Sequence, residues 1–345
     1  MSDLSPRERL ALLRTLNELP PPIFEELLFA IAAPKSLLPG DSAAQGSRGA
    51  SLCSWSESPV GCGLNTIQET LEEILSHHQG KVAFSTSQQP TVEKPAPSSN
   101  QPFQERLPND VLLDMVYVPG GRFYMGSPED EKGRRDSEEP QHRVKVPPFF
   151  MGKYPVTQAQ WYAVSLLDDV EIALSPSPSK LKGGDRPVER ISWHEAVEFC
   201  SRLSKHTGNQ YRLPSESEWE YACRARTTTA YYFGNSITKE QANFIFTVQA
   251  TTPVGKYPPN HFGLYDMHGN VFEWCQDIWH NNYEDAPSDG STWVTGRNDD
   301  CRMIRGGSWV SDPEYCRSAY RFNYIPDDRD FDIGFRVVCS APRAL

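Results

Sequence analysis

Apolar residues fall at helical spacing through the first part of the chain. Leu10, Leu13 and Leu16 share one face after Ser5-Pro6-Arg7-Glu8, a capping box in which the serine oxygen accepts from the amide three residues on and Glu8 reaches back. Pro6 sits where its missing N–H costs nothing. Pro20-Pro21-Pro22 ends that helix and opens a second, with Ile23, Phe24, Leu27, Leu28 and Ile31 facing inward, before Pro39-Gly40 breaks the chain again. A third helix is predicted over about 43–55, and Asn65 caps a fourth that lines up Ile67, Leu71, Ile74 and Leu75. Such faces are buried only by packing on one another, which predicts a small all-α bundle over residues 1–78.

From 79 to 108 the pattern dissolves into Ser, Gln, Pro and Thr, with Pro90, Pro95, Pro97 and Pro102. A segment so poor in apolar surface cannot offset its ordering entropy, so it is predicted to be a linker. Residues 109–345 read as a second domain. Met115 to Ser127 alternates around Pro119-Gly120-Gly121 and predicts a β-hairpin. Ser192 caps a helix over Trp193 to Cys200 with Glu195 reaching back, and Ser215 with Glu218 starts another beyond Tyr211-Arg212-Leu213-Pro214. Gly, Pro, Asn and aromatic residues crowd the intervening stretches, which predicts an α+β fold with little regular secondary structure.

Composition narrows the function. The chain has 345 residues and a formal charge of −11, which argues against a partner as anionic as nucleic acid. Its longest apolar run, Phe24 to Ala33, is too short for a membrane span and contains Glu25 and Glu26. The N-terminus has no apolar core followed by a cleavage site, so the expected compartment is the cytoplasm. Eight cysteines spread from Cys53 to Cys339 without a C-x-x-C pair, a spacing that fits neither a zinc site nor a disulfide scaffold.

Three ordered motifs in the helical part, Phe24 to Ala30, Pro39 to Gly46, and Trp55 to Pro59 with Gly61 to Leu64, resemble effector-associated domains, which are death-fold-like modules. That resemblance implies homotypic docking to proteins carrying a similar module. The alternative is an unrelated helical cap on the larger domain.

The blocks Met115 to Ser127, Trp193 to Cys200, Tyr211 to Ala222, Gly263 to Trp274, Arg305 to Trp309 and Gly334 to Val338 resemble the formylglycine-generating enzyme (sulfatase-modifying factor) family. The resemblance implies a C-type-lectin-like fold. Oxidases of that family hold copper(I) with two cysteines five positions apart after the Gly-Gly-Ser-aromatic motif, and soft thiolates suit that metal. Here Ser311 stands at the first of those positions and Cys316 at the second, so copper chemistry is not expected. The ergothioneine-type branch holds iron with histidines of a helical domain. His77 and His78 are adjacent and point to different sides of a helix, while His142, His194, His206, His261, His268 and His280 are scattered.

The family's structural calcium loop has the form Gly-Asn-x-x-Glu, matched by Gly269, Asn270, Val271 (through its carbonyl) and Glu273, with Asn243 of Ala242-Asn243-Phe244 matching the start of a second site. Hard oxygen donors at a turn suit calcium. The competing role for Glu273 is a buried, hydrogen-bonded brace. No cofactor is expected for catalysis.

The segment 309–333 resembles the variable region of proteins diversified by retroelements, whose asparagine-codon slots cannot become Lys, Glu, Gln, Met or Trp. The matching slots are Val310, Ser311, Asp312, Tyr315, Phe322, Asn323, Tyr324, Ile325, Asp328, Asp330, Phe331 and Asp332. Each is a residue such codons reach, and the mixture of Tyr and Phe with short polar groups is that of a paratope. Pro313, Cys316 to Arg321, Pro326 and Arg329 read as fixed scaffold. The alternative is that some of the rings are core. The resulting expectation is a non-catalytic binding protein that presents this surface to a macromolecular, protein target. It stands against an oxidoreductase of the formylglycine-generating or sulfoxide-synthase type and a non-diversified interaction module.

Overall fold

The computed structural model describes residues 100–296 and 300–340. Before them it describes only Leu12, Thr15, Leu16, Leu27, Leu52, Thr66, Ile67, Gln68, Thr70 and Leu71. The chain divides into two compact units, Met1–Glu93 and Lys94–Leu345. In the first, Leu16, Leu27, Leu52, Ile67 and Leu71 are helical and buried. The rest of the predicted bundle, the effector-domain motifs and residues 79–99 of the linker lie outside the described residues.

The second unit mixes helix with three short sheets. The first sheet runs β1 (Phe103–Arg106), β2 (Leu112–Val118), β5 (Phe149–Gly152), β11 (Val338–Ser340), β6 (Tyr211–Arg212). The second runs β10 (Ile333–Gly334), β7 (Phe272–Ile278), β8 (Arg302–Arg305), β9 (Phe322–Tyr324). The third pairs β3 (Gly121–Met125) with β4 (His142–Val146). Strand β11, at the end of the described chain, pairs with β5 and β6 and closes the fold on itself. Among the described residues no strand exceeds seven residues, so loops carry much of the surface.

Two expectations are corrected. Phe103–Arg106, assigned by composition to the linker, pairs antiparallel with β2, and the Phe103 ring meets Phe150 edge-on at 4.9 Å. The predicted hairpin is not one: β2 pairs with β1 and β5, whereas β3 pairs with β4. The alternation was read correctly, but Pro119-Gly120 passes the chain from one sheet to another. A Cβ at Gly120 would lie 2.8 Å from Pro148, so only glycine fits there.

The helix starts follow the sequence. In α2 (Trp193–Thr207) Ser192 Oγ accepts from the Glu195 amide and the Glu195 carboxylate accepts from the Ser192 amide. In α3 (Glu216–Arg224) Ser215 and Glu218 do the same. The earlier helix α1 (Gln158–Ser165) has an equivalent box in Thr157 and Gln160. The Thr-x-x-Gln spacing was its sequence signal. Around these helices the core packs Trp161 parallel to Phe199 at 5.7 Å, and Phe335 edge-on to both.

Candidate functional site

The segment 309–333 crosses one end of the second sheet. It leaves β8 through Gly306 and Gly307, both at positive φ, and a Cβ on Gly307 would meet Cys316 Sγ at 2.5 Å. A short 3-10 turn over Pro313–Cys316 follows, then β9, then a loop into β10.

Burial sorts this segment into two sets. Cys316, Arg317, Ser318, Ala319, Tyr320, Arg321 and Pro326, all read from sequence as fixed, are buried. Of the twelve slots, Asp312, Phe322, Ile325 and Asp328 are exposed, and Val310, Tyr315, Asn323, Tyr324, Asp330 and Phe331 are partly so. Ser311 and Asp332 are turned inward, at 7% and 8% exposure. Ser311 Oγ accepts from the Ser308 amide at 3.0 Å, and Ser308 Oγ donates to Asp332 at 2.7 Å. Burial pushes the Asp332 carboxyl up to about 6, against the pull of that hydroxyl. These two residues line the floor beneath the surface.

The fixed arginines hold the floor in place. Arg317 donates to both oxygens of Glu138, at 2.6 and 2.8 Å, and to Glu131 at 2.5 Å. Arg321 donates to both oxygens of Glu216, at 2.7 and 3.0 Å, and lies 4.0 Å over the Tyr283 ring. Arg305 reaches the carbonyls of Ser318 and Ala319 at 3.1 and 2.9 Å, the Tyr320 carbonyl and Glu220. Arg329 pairs with Glu195 at 2.9 Å. These arginines pair with glutamates outside the segment and not with the slot aspartates. The partners lie up to 186 positions away, so no local pattern could have named them.

The accessible rings are not alike. Phe322 projects most, beside the exposed aliphatic Ile325, whereas Tyr315 and Tyr324 also pack against the core. Tyr315 lies 5.1 Å from Tyr320, with the Arg135 guanidinium 5.1 Å over both rings. Tyr324 donates to Asp330 at 3.1 Å, and burial beside that acid raises its phenol to about 12. Next to this edge a cleft of about 790 Å³ opens between Glu131, Lys132, Tyr231, Asp312 and Glu314.

The candidate calcium loop is built as a brace. Both Glu273 oxygens accept from Arg336, at 2.7 Å each, and one also from Trp219 Nε1 at 2.7 Å. Asn270 Oδ1 accepts from the Thr252 amide at 2.8 Å and its Nδ2 donates back to the Thr252 carbonyl at 3.2 Å. Asn243 Nδ2 donates to the Ala250 carbonyl, and a Cβ at Gly269 would stand 2.3 Å from the Asn243 carbonyl oxygen. Val271 is buried beside them. Among the described residues no three His, Cys, Asp or Glu side chains gather as a metal set. A carboxylate already neutralised by a guanidinium is a poor donor to a dication, so Glu273 does not fit a calcium shell. We propose the bracing role for this loop: calcium and chelator should give the same melting midpoint, while Glu273→Gln should lower it. A calcium-dependent midpoint that vanishes in Glu273→Gln would restore the ion.

His268 sits under the same region. Its Nδ1 donates to the Cys316 carbonyl at 2.7 Å and its Nε2 accepts from the Tyr232 amide at 3.1 Å. Burial pushes the imidazole down to about 3, which fixes it as a neutral structural residue.

A lectin-type fold of short sheets, with an accessible edge over a floor of ion-paired arginines, is thus the class of protein defined by these contacts. Residues 101–341 match the sulfatase-modifying factor enzyme 1-like domain, and the chain belongs to that family. Among relatives it is 32% identical over 295 residues to the serine/threonine-protein kinase pkn1 of Chlamydia caviae, covering 79% of this chain and 45% of that one. The chain therefore spans less than half the length of that relative. It is 28% identical over 291 residues to the formylglycine-generating enzyme of Mus musculus, covering 67% of this chain and 75% of that one. Among solved structures, PvdO from Pseudomonas aeruginosa superposes with a TM-score of 0.61 at 36% identity, over 66% of this chain and 95% of that one. Treponema denticola variable protein 1 superposes with a TM-score of 0.60 at 25% identity, over 70% of this chain and 99% of that one. Among the described residues no helix is long and apolar enough to cross a membrane.

Proposed function

We propose that the 101–341 domain is a non-catalytic binding scaffold whose edge at 309–333 contacts a protein target, and that the helical region preceding it docks proteins with a similar effector-associated module. The observation that carries this reading is the match between two independent partitions. Ten of the twelve sequence slots are at least partly accessible, while seven of the nine residues read as fixed are buried, Pro313 being partly accessible and Arg329 exposed. A surface able to change without disturbing its support needs this arrangement, because exposed substitutions away from special features cost little stability. The similarity to a Treponema protein described as variable agrees with it. The second part rests on the sequence motifs of residues 24–64.

The rival is a formylglycine-type oxidase, favoured by the likeness to the murine enzyme. A two-thiolate copper site would have to be built at 311 and 316. Ser311 is engaged with Ser308, and complete burial pushes the Cys316 thiol far above its usual range. With serine at 311, a single thiol does not make the two-sulfur site that copper(I) needs. With a sulfatase-type cysteine peptide and copper, no formylglycine should form. Turnover above a Cys316→Ser control would overturn the binding reading.

A further inference from the structure

Beside the slots, outside 309–333, lies an apolar projection that no slot pattern contains. Ile245 and Phe246 are 40% and 57% exposed. Scattered exposed hydrophobics are ordinary, and two adjoining ones gain meaning only from what they stand beside. Both residues adopt left-handed backbone conformations, with φ of 45° and 53°, which are unfavourable for a β-branched or bulky side chain. Two hydrogen bonds hold them there: the Ile245 amide donates to the Ser311 carbonyl and the Phe246 amide to the Trp309 carbonyl, each at 2.8 Å. The loop is thereby fastened to the backbone of the slot segment itself.

The rings continue that connection. Phe246 meets Trp309 edge-on at 5.5 Å, and Trp309 meets Phe331, a slot, at 5.7 Å. The Trp309 indole N–H has no hydrogen-bond partner. An exposed carboxylate, Asp312, follows directly on Ser311, whose carbonyl holds Ile245; the Asp330 carboxylate before Phe331 is taken up by the Phe331 amide and the Tyr324 hydroxyl.

We propose that the Ile245–Phe246 loop is a fixed part of the binding surface, and that its apolar step takes an aliphatic side chain of a protein target flanked by lysine or arginine. The inference rests on the binding reading above and adds a division of labour to it. Slots change specificity, while the loop supplies a constant anchor to every version of the surface. Aromatic anchors of this kind dominate interface energies, and Asp312 orients a basic rim.

The test is selection of a random peptide-display library on the full chain, followed by affinity measurements on the enriched peptides. Enriched peptides should carry an aliphatic residue beside Lys or Arg. Phe246→Ser should weaken them by about tenfold or more with its melting transition retained, and Asp312→Asn should weaken them less. If Phe246→Ser does not fold, Phe246→Lys is the substitute: its stem still covers Trp309, and its charge should repel the same peptides. Affinity unchanged in the Phe246 variant but lost in Phe322→Ser or Tyr324→Ser would overturn this inference and leave the slot surface standing. Peptides of other chemistry would overturn the stated partner. Peptides indifferent to all these replacements, or no enrichment, would overturn both readings.

Discussion

Replacing Arg305 by methionine is expected to remove about 3–5 kcal/mol of stability, the usual effect of deleting one partner from a buried ion pair. Arg305 is fully buried in β8 and bridges two acids of α3, pairing with Glu220 and lying 3.8 Å from Glu216. Against the penalty of full burial, Arg321 and Arg305 together hold the Glu216 carboxyl below its usual range. Without Arg305, Glu216 keeps Arg321 and Glu220 keeps Arg224, but each acid loses charge compensation. The carbonyls of 318, 319 and 320 also lose a donor, and that loss is part of the same figure. Domains are stable by only about 5–15 kcal/mol, so the melting midpoint should fall by roughly 10 °C. Urea denaturation of wild type and variant measures the loss. Amide exchange at 318–320 should accelerate beyond that of β2 or α2, because this arginine ties the segment to the helix beneath. Equal stability, or uniform acceleration, would remove Arg305 as the support of the surface.

This network marks where sequence reading succeeds and stops. Ser192 with Glu195 and Ser215 with Glu218 are local signals, decided within four residues, and both capping boxes form as read. The Gly-Gly-Ser-Trp block and the Gly-Asn-x-x-Glu loop identified the fold because their glycines meet backbone requirements, such as the positive φ at Gly306, Gly307 and Gly269. Strand pairing is not local. Met115 to Met125 alternates as a hairpin would, yet its halves join different sheets, since alternation reports a half-buried strand and not its neighbour. Arginine pairing is not local either. Arg317 and Arg321 read as fixed scaffold and Arg336 as part of a family block, but only distant acids, Glu138, Glu216 and Glu273, make their burial tolerable. Ile245 and Phe246 carried no signal at all, because their exposure depends on where the chain places residues 309–311.

The surface itself yields the last prediction. The triple replacement Phe322→Ser, Tyr324→Ser and Phe331→Ser should leave a cooperatively folded domain while binding to a peptide or protein selected on the wild type falls by about thirtyfold or more, the equivalent of about 2 kcal/mol at a hot spot. Stability should not be wholly untouched. Phe322 lies 6.4 Å from both Phe272 and Tyr320, and 6.0 Å from Tyr324, and ring pairs of this kind contribute about 0.5–1.5 kcal/mol. Tyr315 is kept out of the set: its packing on Tyr320 under Arg135 makes it a support as well as a contact. Tyr315→Ser alone should therefore cost more stability than Phe322→Ser alone. Charge adds a second signature. Because Arg317, Arg321 and Arg329 pair with Glu138, Glu216 and Glu195, they are not arranged to neutralise Asp312 and Asp328, which stand exposed. Association should slow as salt is raised, and an Asp312→Asn, Asp328→Asn double variant should lose most of that dependence. The decisive comparison is the melting curve of the triple variant beside its affinity. Loss of the folded state would make these rings core, and a surface built to vary could not then be made from them.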